Sequence, residues 1–273
     1  EYIVLNQPAS ILSVVSEYDG NTLYYPSEDI DTFTIEKETA DAEYTGDNYV
    51  FTLPDEDTAP VRLSAKLNQE KDGNLGDLTL AKVVFTIPGA GTYSADVNAM
   101  GEALIIVDIK EGTYEVTVQV DLGNGYWTGE QDDCPLTVAL GTGVDTITGG
   151  GWIPDPDSIN DKGNFGFTVK YNKKMTPKGN FVYIWRGDDG YNYKVKSNSW
   201  QGGGLWFAGK NGERAYFTGK CTFTKINRMT GEEITLGNCY ATIDITDGDL
   251  GDPVVLDSFA ITVLDSLEPD ALV

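Results

Sequence analysis

Residues 112–120 read Gly-Thr-Tyr-Glu-Val-Thr-Val-Gln-Val, and from Tyr114 onward every second side chain is apolar. This period of two is typical of a β-strand with one buried face. A Gly-Asn turn at 123–124, an aromatic pair at 126–127 and a final apolar stretch that includes Val138 follow it. The order predicts two strands that pair across a turn.

The same pattern occurs once more, 103 residues closer to the N-terminus. Four parts of the two copies align without a gap: Gly20-Asn21 with Gly123-Asn124, Leu23-Tyr24 with Tyr126-Trp127, Asp29 with Asp132, and Thr34-Ile35 with Thr137-Val138. One supersecondary unit therefore occurs twice. The second copy closes a run of strands that begins near Tyr44, and the first copy has no such run before it. A closing hairpin alone cannot bury its apolar face, so we expect an upstream part of a longer repeat protein, or a neighbouring molecule, to supply the other strands.

The rest of the chain also predicts short strands separated by Gly, Asp and Asn. Residues 61–67 alternate between apolar and polar, and residues 83–87 are almost continuously apolar. A single turn near residues 39–43 is the one helical candidate. About seven strands at roughly ten-residue spacing indicate a Greek-key sandwich.

Glycine and charge both change near residues 141–151, which read Gly-Thr-Gly-Val-Asp-Thr-Ile-Thr-Gly-Gly-Gly. We place the domain boundary in this stretch. The sequence thus predicts an all-β chain with three parts: a connector hairpin at 1–38, a β-sandwich at 39–145, and a second antiparallel sandwich or barrel at 146–273.

The charge of the chain restricts its partners. It has 43 acidic and 19 basic residues, and residues 1–145 contain 27 of the acidic and 6 of the basic ones. Nucleic acid and anionic membranes are therefore poor partners. The sequence contains no stretch of 18 apolar residues, so it predicts no membrane span. The acidic residues indicate either a solubilising surface or calcium binding.

The chain has no histidine, so it lacks the commonest general base and the commonest metal ligand. Because the chain also lacks a nucleophile elbow and a phosphate loop, we expect that the protein is not an enzyme. The rival hypothesis is an enzyme that uses carboxylates alone. The chain starts at Glu1 without Met, as expected if a leader or an upstream region has been removed.

The chain has three cysteines, so one disulfide would leave one free thiol. Cys221 and Cys239 each lie nine residues from Thr230, which belongs to a turn-rich segment at 227–231. In a symmetric hairpin the two would face each other, which predicts a disulfide if the protein is secreted. Cys134 is then either a buried free thiol or the source of an intermolecular bond.

Five motifs in the first part are similar to a known module: Tyr-Thr-Gly-Asp at 44–47, Val-Arg-Leu-Ser-Ala-Lys-Leu at 61–67, Gly-Asp-Leu at 76–78, Val-Val-Phe-Thr at 83–86 and Gly-Thr-Tyr-Glu-Val at 112–116. Together, residues 30–141 resemble the bacterial and archaeal Ig-like repeats of large secreted surface proteins. The resemblance implies that the sandwich at 39–145 is Ig-like.

A second set follows: Gly-Gly-Gly-Trp-Ile at 149–153, Gly-Asn-Phe-Gly-Phe at 163–167, Pro-Lys-Gly-Asn at 177–180, Phe-Thr-Gly at 217–219 and Asp-Ser-Phe-Ala-Ile at 257–261. Residues 148–266 resemble the post-COAP-type domain found at the ends of such proteins. The two resemblances imply a tandem extracellular architecture, in which sandwiches act as spacers, adhesive units or polymer links. The cysteine pair is not part of the pattern.

Two acidic segments are candidate calcium sites, because alternating carboxylates with glycines offer a hard cation several oxygens. The denser segment contains Asp244, Asp247, Asp249 and Asp252, and the other contains Asp155, Asp157, Asn160 and Asp161. Neither matches the EF-hand spacing. Ordinary acidic turns are the alternative, and a shared site is favoured if the two segments meet in space.

Aromatic residues concentrate in the second domain: Trp185, Tyr191, Tyr193, Trp200, Trp206 and Phe207. They indicate either core packing or a sugar-binding face, with Trp185, Tyr191, Trp200 and Trp206 as its candidate residues. The glycine run at 202–204 predicts a loop or a bulge.

The leading hypothesis is a secreted, non-catalytic structural or adhesive protein, which needs no cofactor beyond a possible calcium ion. Its expected partners are copies of itself or adjoining Ig-like repeats. The alternative is a carbohydrate-binding module attached to an extracellular hydrolase, with a polysaccharide as its partner.

Overall fold

The computed structural model describes residues 8–53, 55–71, 75–140, 146–171, 177–208, 214–250 and 253–265. These residues form eighteen strands and three short 3-10 turns, which confirms the all-β prediction. No helix among them is long and apolar enough to cross a bilayer.

The first two strands form a separate two-stranded sheet. Strands β1 (Ser10–Tyr18) and β2 (Ser27–Ile35) are antiparallel, with Ser10 opposite Ile35. Asn21 holds the connection between them, because its side-chain oxygen accepts the backbone N–H groups of Leu23 and Tyr24 at 2.8 and 2.9 Å. We call this unit the N-terminal hairpin.

The first domain is a sandwich of two sheets. Its strands are β3 (Glu38–Tyr44), β4 (Tyr49–Phe51), β5 (Thr58–Gln69), β6 (Lys82–Ile87), β7 (Gly91–Asp96), β8 (Glu102–Lys110), β9 (Gly112–Val120), β10 (Trp127–Thr128) and β11 (Asp132–Ala139). One sheet has the order β10-β3-β5-β8 and the other β4-β11-β9-β6-β7. Most neighbours are antiparallel, and the short strands β10 and β4 pair in parallel with β3 and β11.

Alternating side chains build the core between these two sheets. In β5, Val61 and Leu63 are fully buried, whereas Arg62 between them is exposed. Trp127 is also fully buried and belongs to the same core. Burial of such large side chains contributes roughly 1.5–3 kcal/mol each, so the core is the main stabilising element of this domain.

The helical turn predicted near residues 39–43 is wrong, because these residues belong to β3. Ala40, Ala42 and Tyr44 are buried, while Glu43 between them is exposed. This is the period of a strand, and pairing of β3 with β5 overrides the helix propensity of Ala and Glu.

The second domain is one antiparallel sheet of seven strands in chain order. They are β12 (Thr146–Pro154), β13 (Lys162–Tyr171), β14 (Pro177–Arg186), β15 (Tyr191–Ala208), β16 (Arg214–Asn227), β17 (Glu233–Thr246) and β18 (Ser258–Asp265). The glycines at 202–204 lie at a register irregularity within β15, which fits the bulge interpretation.

This sheet folds over itself, so its two halves face each other as the layers of a sandwich do. Phe259 of β18 stacks on Phe165 of β13 with ring centroids 3.7 Å apart, although four strands separate β13 from β18 in the sheet. Phe167, Phe181 and Phe217 are buried in the core that this curvature encloses.

The two domains pack so closely that the middle sheet of the molecule is covered on both sides. Every residue of β11 after Asp132 is buried. One face of β11 belongs to the core of the first domain, and the other lies against β12, β13 and β14. We call this contact, together with the neighbouring outward face of β9, the domain joint.

Glycines allow this close approach. An added Cβ at Gly166 would lie 2.8 Å from Thr137 Oγ1 and 3.1 Å from Pro135 Cβ, and one at Gly150 would lie 3.1 Å from the Asn48 carbonyl oxygen. The glycines at 149–151 belong to β12, inside the second domain that the sequence predicts to begin at residue 146.

We expect Gly166→Ala to destabilise the protein by about 1–3 kcal/mol, because the new methyl group overpacks the joint. Chemical denaturation followed by tryptophan fluorescence measures the change. Gly151→Ala is the matched control, since its Cβ would meet only Phe165, at an ordinary 3.5 Å. Equal stability of the two variants would contradict tight packing at the joint.

Candidate functional site

The N-terminal hairpin leaves its apolar side chains exposed, whereas the second copy of the repeat buries them. Three aligned pairs demonstrate this: Val15 and Val118, Tyr24 and Trp127, Phe33 and Leu136. In the hairpin, Val15 is 49% exposed, Tyr24 67% and Phe33 39%, whereas their three counterparts in the second copy are fully buried. Among the described residues, no layer covers the hairpin in the way that the rest of the first domain covers its counterpart β9–β11.

The hairpin carries apolar residues on both of its faces. Val15 lies opposite Ile30, on the face that also carries Ile11, and Leu12 lies opposite Phe33 on the other face. The register differs by one residue from that of the second copy, where Val118 lies opposite Asp132. A surface of this kind is suited to burial between two layers.

The base of the hairpin adjoins one turn of the first domain. The Ala9 N–H donates to the Gly125 carbonyl oxygen at 3.0 Å, and the Glu38 N–H donates to that of Tyr126 at 2.9 Å. Gly125 has a φ of 71°, in the left-handed region that glycine adopts readily. Both ends of the hairpin are thus tied to residues 125–126.

Charged side chains hold the domain joint at one end. Glu130 accepts hydrogen bonds from Arg186 Nη2 at 2.7 Å and from Arg228 Nε at 2.8 Å. Burial alone would raise the pKa of Glu130, but these two arginines outweigh it and hold the pKa below its usual value. Buried Arg228 also donates to the carbonyl oxygens of Gly187 and Tyr191. The ion pair of Glu130 and Arg228 is therefore well satisfied by hydrogen bonds.

The middle of the joint contains a buried ion pair and a buried amide. Lys194 Nζ lies 2.8 Å from Glu115 Oε1, with both side chains at most 10% exposed. Burial lowers the pKa of Lys194, but Glu115 and Glu233 outweigh it and raise the pKa. Asn192 Nδ2 donates to Asp133 Oδ2 at 2.8 Å. Loss of one partner would leave a buried charge or amide unpaired, which is costly.

A cavity of about 410 Å³ lies between the two domains beside these contacts. The first domain contributes the turn after β3 and the start of β11, including Asp132. The second contributes Asn164, Asn192 and the half-exposed Trp152, whose ring carries Lys162 Nζ at 4.7 Å from its centroid. Burial raises the pKa of Asp132 to about 6, and a hydrogen bond from the Tyr44 N–H opposes the rise.

Sequence reasoning missed the residues of the joint and of the cavity. Glu115 and Lys194 occupy ordinary outward positions of amphipathic strands, so their pattern is typical of solvated side chains. Glu115 and Lys194, which are 79 residues apart along the chain, become partners only because their two strands lie in contact.

The two candidate calcium segments do not meet. Asp155 and Asp157 border a second cavity, of about 570 Å³, together with Asn238 and Cys239 in the first half of β17. Asp247 and Asp249 follow the opposite end of that strand and are exposed, as is Asp244. Asp252 lies outside the described residues, and among the described residues no group of three or more metal-ligating side chains occurs.

Asp155 has an evident structural partner. Its carboxylate accepts the Tyr183 hydroxyl at 2.5 Å and the Asp157 N–H at 3.0 Å. Burial, followed by this hydrogen bond, raises the pKa of Tyr183 well above its usual value.

The candidate sugar-binding aromatics mostly pack on other side chains. Trp185 stacks on Tyr193 and on Phe223, with centroids 5.2 and 5.7 Å apart. Lys225 Nζ lies over the ring of Tyr191, and Trp200 meets Phe217 edge-on at 5.0 Å while its Nε1 donates to the Gly179 carbonyl oxygen. The side chain of Trp206 lies outside the described part. Of the three whose side chains are described, Trp185 alone borders the joint cavity.

Cys221 and Cys239 lie opposite each other in β16 and β17, and their sulfur atoms are bonded at 2.09 Å. Cys134 is a buried free thiol, and burial raises its pKa well above the usual value. A protonated, inaccessible thiol is a poor nucleophile.

No protein-family model matches this sequence, and no curated protein is significantly similar to it. The resemblances to Ig-like repeats and to a post-COAP-type domain therefore stay predictions.

We expect the double variant Cys221→Ser/Cys239→Ser to lose about 3 kcal/mol of stability, since the disulfide closes a loop of 18 residues. Urea unfolding of the variant and of the oxidised and reduced wild type measures the loss. The reduced wild type should match the variant. A variant as stable as the oxidised wild type would contradict the prediction.

The raised pKa of Asp132 predicts a pH effect on stability. Between about pH 4 and pH 6 the folded chain retains a proton that the unfolded chain has lost, so this group destabilises the fold as the pH rises. We expect Asp132→Asn, which keeps an oxygen for the Tyr44 N–H, to gain up to about 3 kcal/mol over the wild type between pH 4 and pH 7. Parallel urea titrations measure this difference, and a gain independent of pH would contradict it.

Proposed function

We propose that the protein is a secreted, non-catalytic structural or adhesive component of an extracellular surface assembly. Its N-terminal hairpin completes an adjoining Ig-like module by strand complementation, and its two domains form a spacer. The observation that carries this proposal is the exposure of Val15, Tyr24 and Phe33 at positions whose second-copy counterparts are fully buried.

The internal repeat indicates what the hairpin binds. Its counterpart β9–β11 packs against strands β3, β5 and β8 of the first sandwich. We therefore infer that the partner presents a comparable set of strands without a closing hairpin of its own. Backbone pairing and burial of apolar side chains would together supply the affinity.

The first sandwich of this chain already contains its closing strands β9 and β11. A second copy of the chain accepts the hairpin at that place only if these strands are displaced, as in domain swapping. An adjoining Ig-like repeat is consequently the favoured partner, and exchange between copies is the alternative.

The domain joint is consistent with a spacer. Domains linked by a small polar contact move relative to each other by default, whereas here the buried pair of Lys194 and Glu115 and the cluster around Glu130 tie the two together. The bond between Cys221 and Cys239 further restrains the second domain. A stiff unit of this kind would transmit the position of one module to the next.

Deletion of residues 1–36 tests the role of the hairpin. If copies exchange the hairpin, we expect the full chain to form oligomers or filaments, and the shortened chain to be a monomer with an unchanged melting temperature, since the hairpin contributes little to either domain. If an adjoining repeat is the partner, we expect the full chain alone to be a monomer that binds an Ig-like repeat without closing strands, and the shortened chain not to bind it. Light scattering coupled to size-exclusion chromatography and negative-stain electron microscopy measure both. Val15→Ser/Phe33→Ser should weaken the interaction, while Thr32→Ser on the same hairpin is the control. Equal assembly and equal binding of all forms would refute the proposal.

A further inference from the structure

The N-terminal hairpin differs from its counterpart by one residue of register. Val15 lies opposite Ile30 in the hairpin, whereas Val118 lies opposite Asp132 in the second copy. Because Asp132 aligns with Asp29, the register of the second copy would place Val15 opposite Asp29. Side chains alternate across a strand, so a slip by one residue moves those of β1 to the other face of the sheet relative to those of β2.

The observed register divides the apolar residues that a partner would need between two faces. In the second copy, Val118 and Leu136 belong to one buried core. Their counterparts Val15 and Phe33 lie on opposite faces of the hairpin. A slip by one residue would bring Val15, Phe33 and Ile11 to the same face. The hairpin can therefore imitate β9–β11 only in the slipped register.

The ladder itself favours neither register strongly. Each register sets two pairs of apolar residues directly opposite each other within β1 and β2. The observed pairs are Leu12–Phe33 and Val15–Ile30, and the slipped pairs are Ile11–Phe33 and Val14–Ile30. Like charges face each other in the observed register, where Glu17 lies opposite Glu28, and slipping would place a serine opposite each of them. Register is strongly specified where one face is buried, and among the described residues neither face of the hairpin is.

The attachment of the hairpin permits such a slip, which moves β1 by about 3.3 Å toward the connection between β1 and β2. The contacts of Asn21 with Leu23 and Tyr24 lie within this connection and need not break. The hydrogen bond from the Ala9 N–H to the Gly125 carbonyl oxygen would break, and backbone pairing with a partner would replace its contribution.

We propose that the N-terminal hairpin is a two-register switch: the free chain holds the observed register, and the hairpin slips by one residue when it completes an Ig-like module without closing strands. This inference rests on the strand complementation proposed above and adds the conformational step that accompanies it. Since the free register divides the docking face, the slip limits docking to partners whose binding offsets its cost.

Cross-strand cysteine pairs in the full chain distinguish the two registers. Residues directly opposite each other have Cα atoms about 4.5–5.5 Å apart, which a disulfide can span. Ser13→Cys/Thr32→Cys closes only in the observed register. Ser10→Cys/Thr34→Cys closes only in the slipped register, in which the aligned threonines of the second copy lie opposite each other. In the other register, the two side chains of each pair point to opposite faces.

In the free chain we expect both pairs to close in a glutathione buffer. Ser10→Cys/Thr34→Cys should close about 10 to 1,000 times more slowly, as for a minor state populated at roughly 0.1–10%. Ser10→Cys/Ser27→Cys is the control, because these two residues lie at opposite ends of the hairpin in either register. Mass spectrometry after thiol labelling measures closure, and melting curves establish that each variant is folded. A slipped-register pair that closes no faster than the control overturns the proposal, as does one that closes before Ser13→Cys/Thr32→Cys.

Light scattering then compares assembly of the full chain with itself and its binding to an Ig-like repeat without closing strands. The closed Ser10→Cys/Thr34→Cys form should dock at least as well as the wild type. The closed Ser13→Cys/Thr32→Cys form should dock about tenfold more weakly or not at all, and should regain docking on reduction. The wild type, whose own disulfide meets the same reductant, is the control.

Loss of docking in the closed observed register alone supports the proposal. Equal docking of the two closed forms overturns it, because the register would then have no effect. If neither the wild type nor any reduced variant docks, strand complementation itself is refuted, and the slip that accompanies it is refuted too. The two failures are distinguishable, since the wild type docks in the first and does not dock in the second.

Discussion

Burial of both faces of β9 and β11 is the constraint on which the rest of the molecule depends. Their inner faces supply Val116, Val118 and Leu136 to the core of the first domain. Their outer faces carry Thr113, Glu115 and Asp133, with Glu130 just before β11, and a polar group shut away from water needs a partner. The second domain supplies those partners through side chains of β13, β14 and β15 and through the turn that carries Arg228.

The same constraint explains why the N-terminal hairpin stands apart. It repeats the strands of β9–β11, but in the part of the chain that the structure describes it has neither a core layer on one side nor a second domain on the other. Its apolar residues consequently stay in contact with solvent on both faces. A two-stranded sheet of this kind is marginal by itself, so the proposed connector role follows from the physical difference between two copies of one unit.

Within the described residues, the joint also contains buried polar atoms without a hydrogen-bond partner, Asn192 Oδ1 and Arg186 Nε. Packing is complete where glycines let the sheets approach, as at Gly150 and Gly166. It is incomplete beside Asn192 and Asp132, where side chains enclose a cavity.

The sequence by itself determined the all-β class, the repeated unit and the facing positions of Cys221 and Cys239, because strand periodicity and turn residues are local signals. It misassigned β3 as a helical turn, since Ala and Glu favour helices until pairing with β5 decides otherwise. Only the tertiary structure decided that Glu115 pairs with Lys194, that the two acidic segments stay apart, and that a cavity forms beside Trp152. These features arise from contact between strands distant along the chain, and no local pattern encodes such contacts.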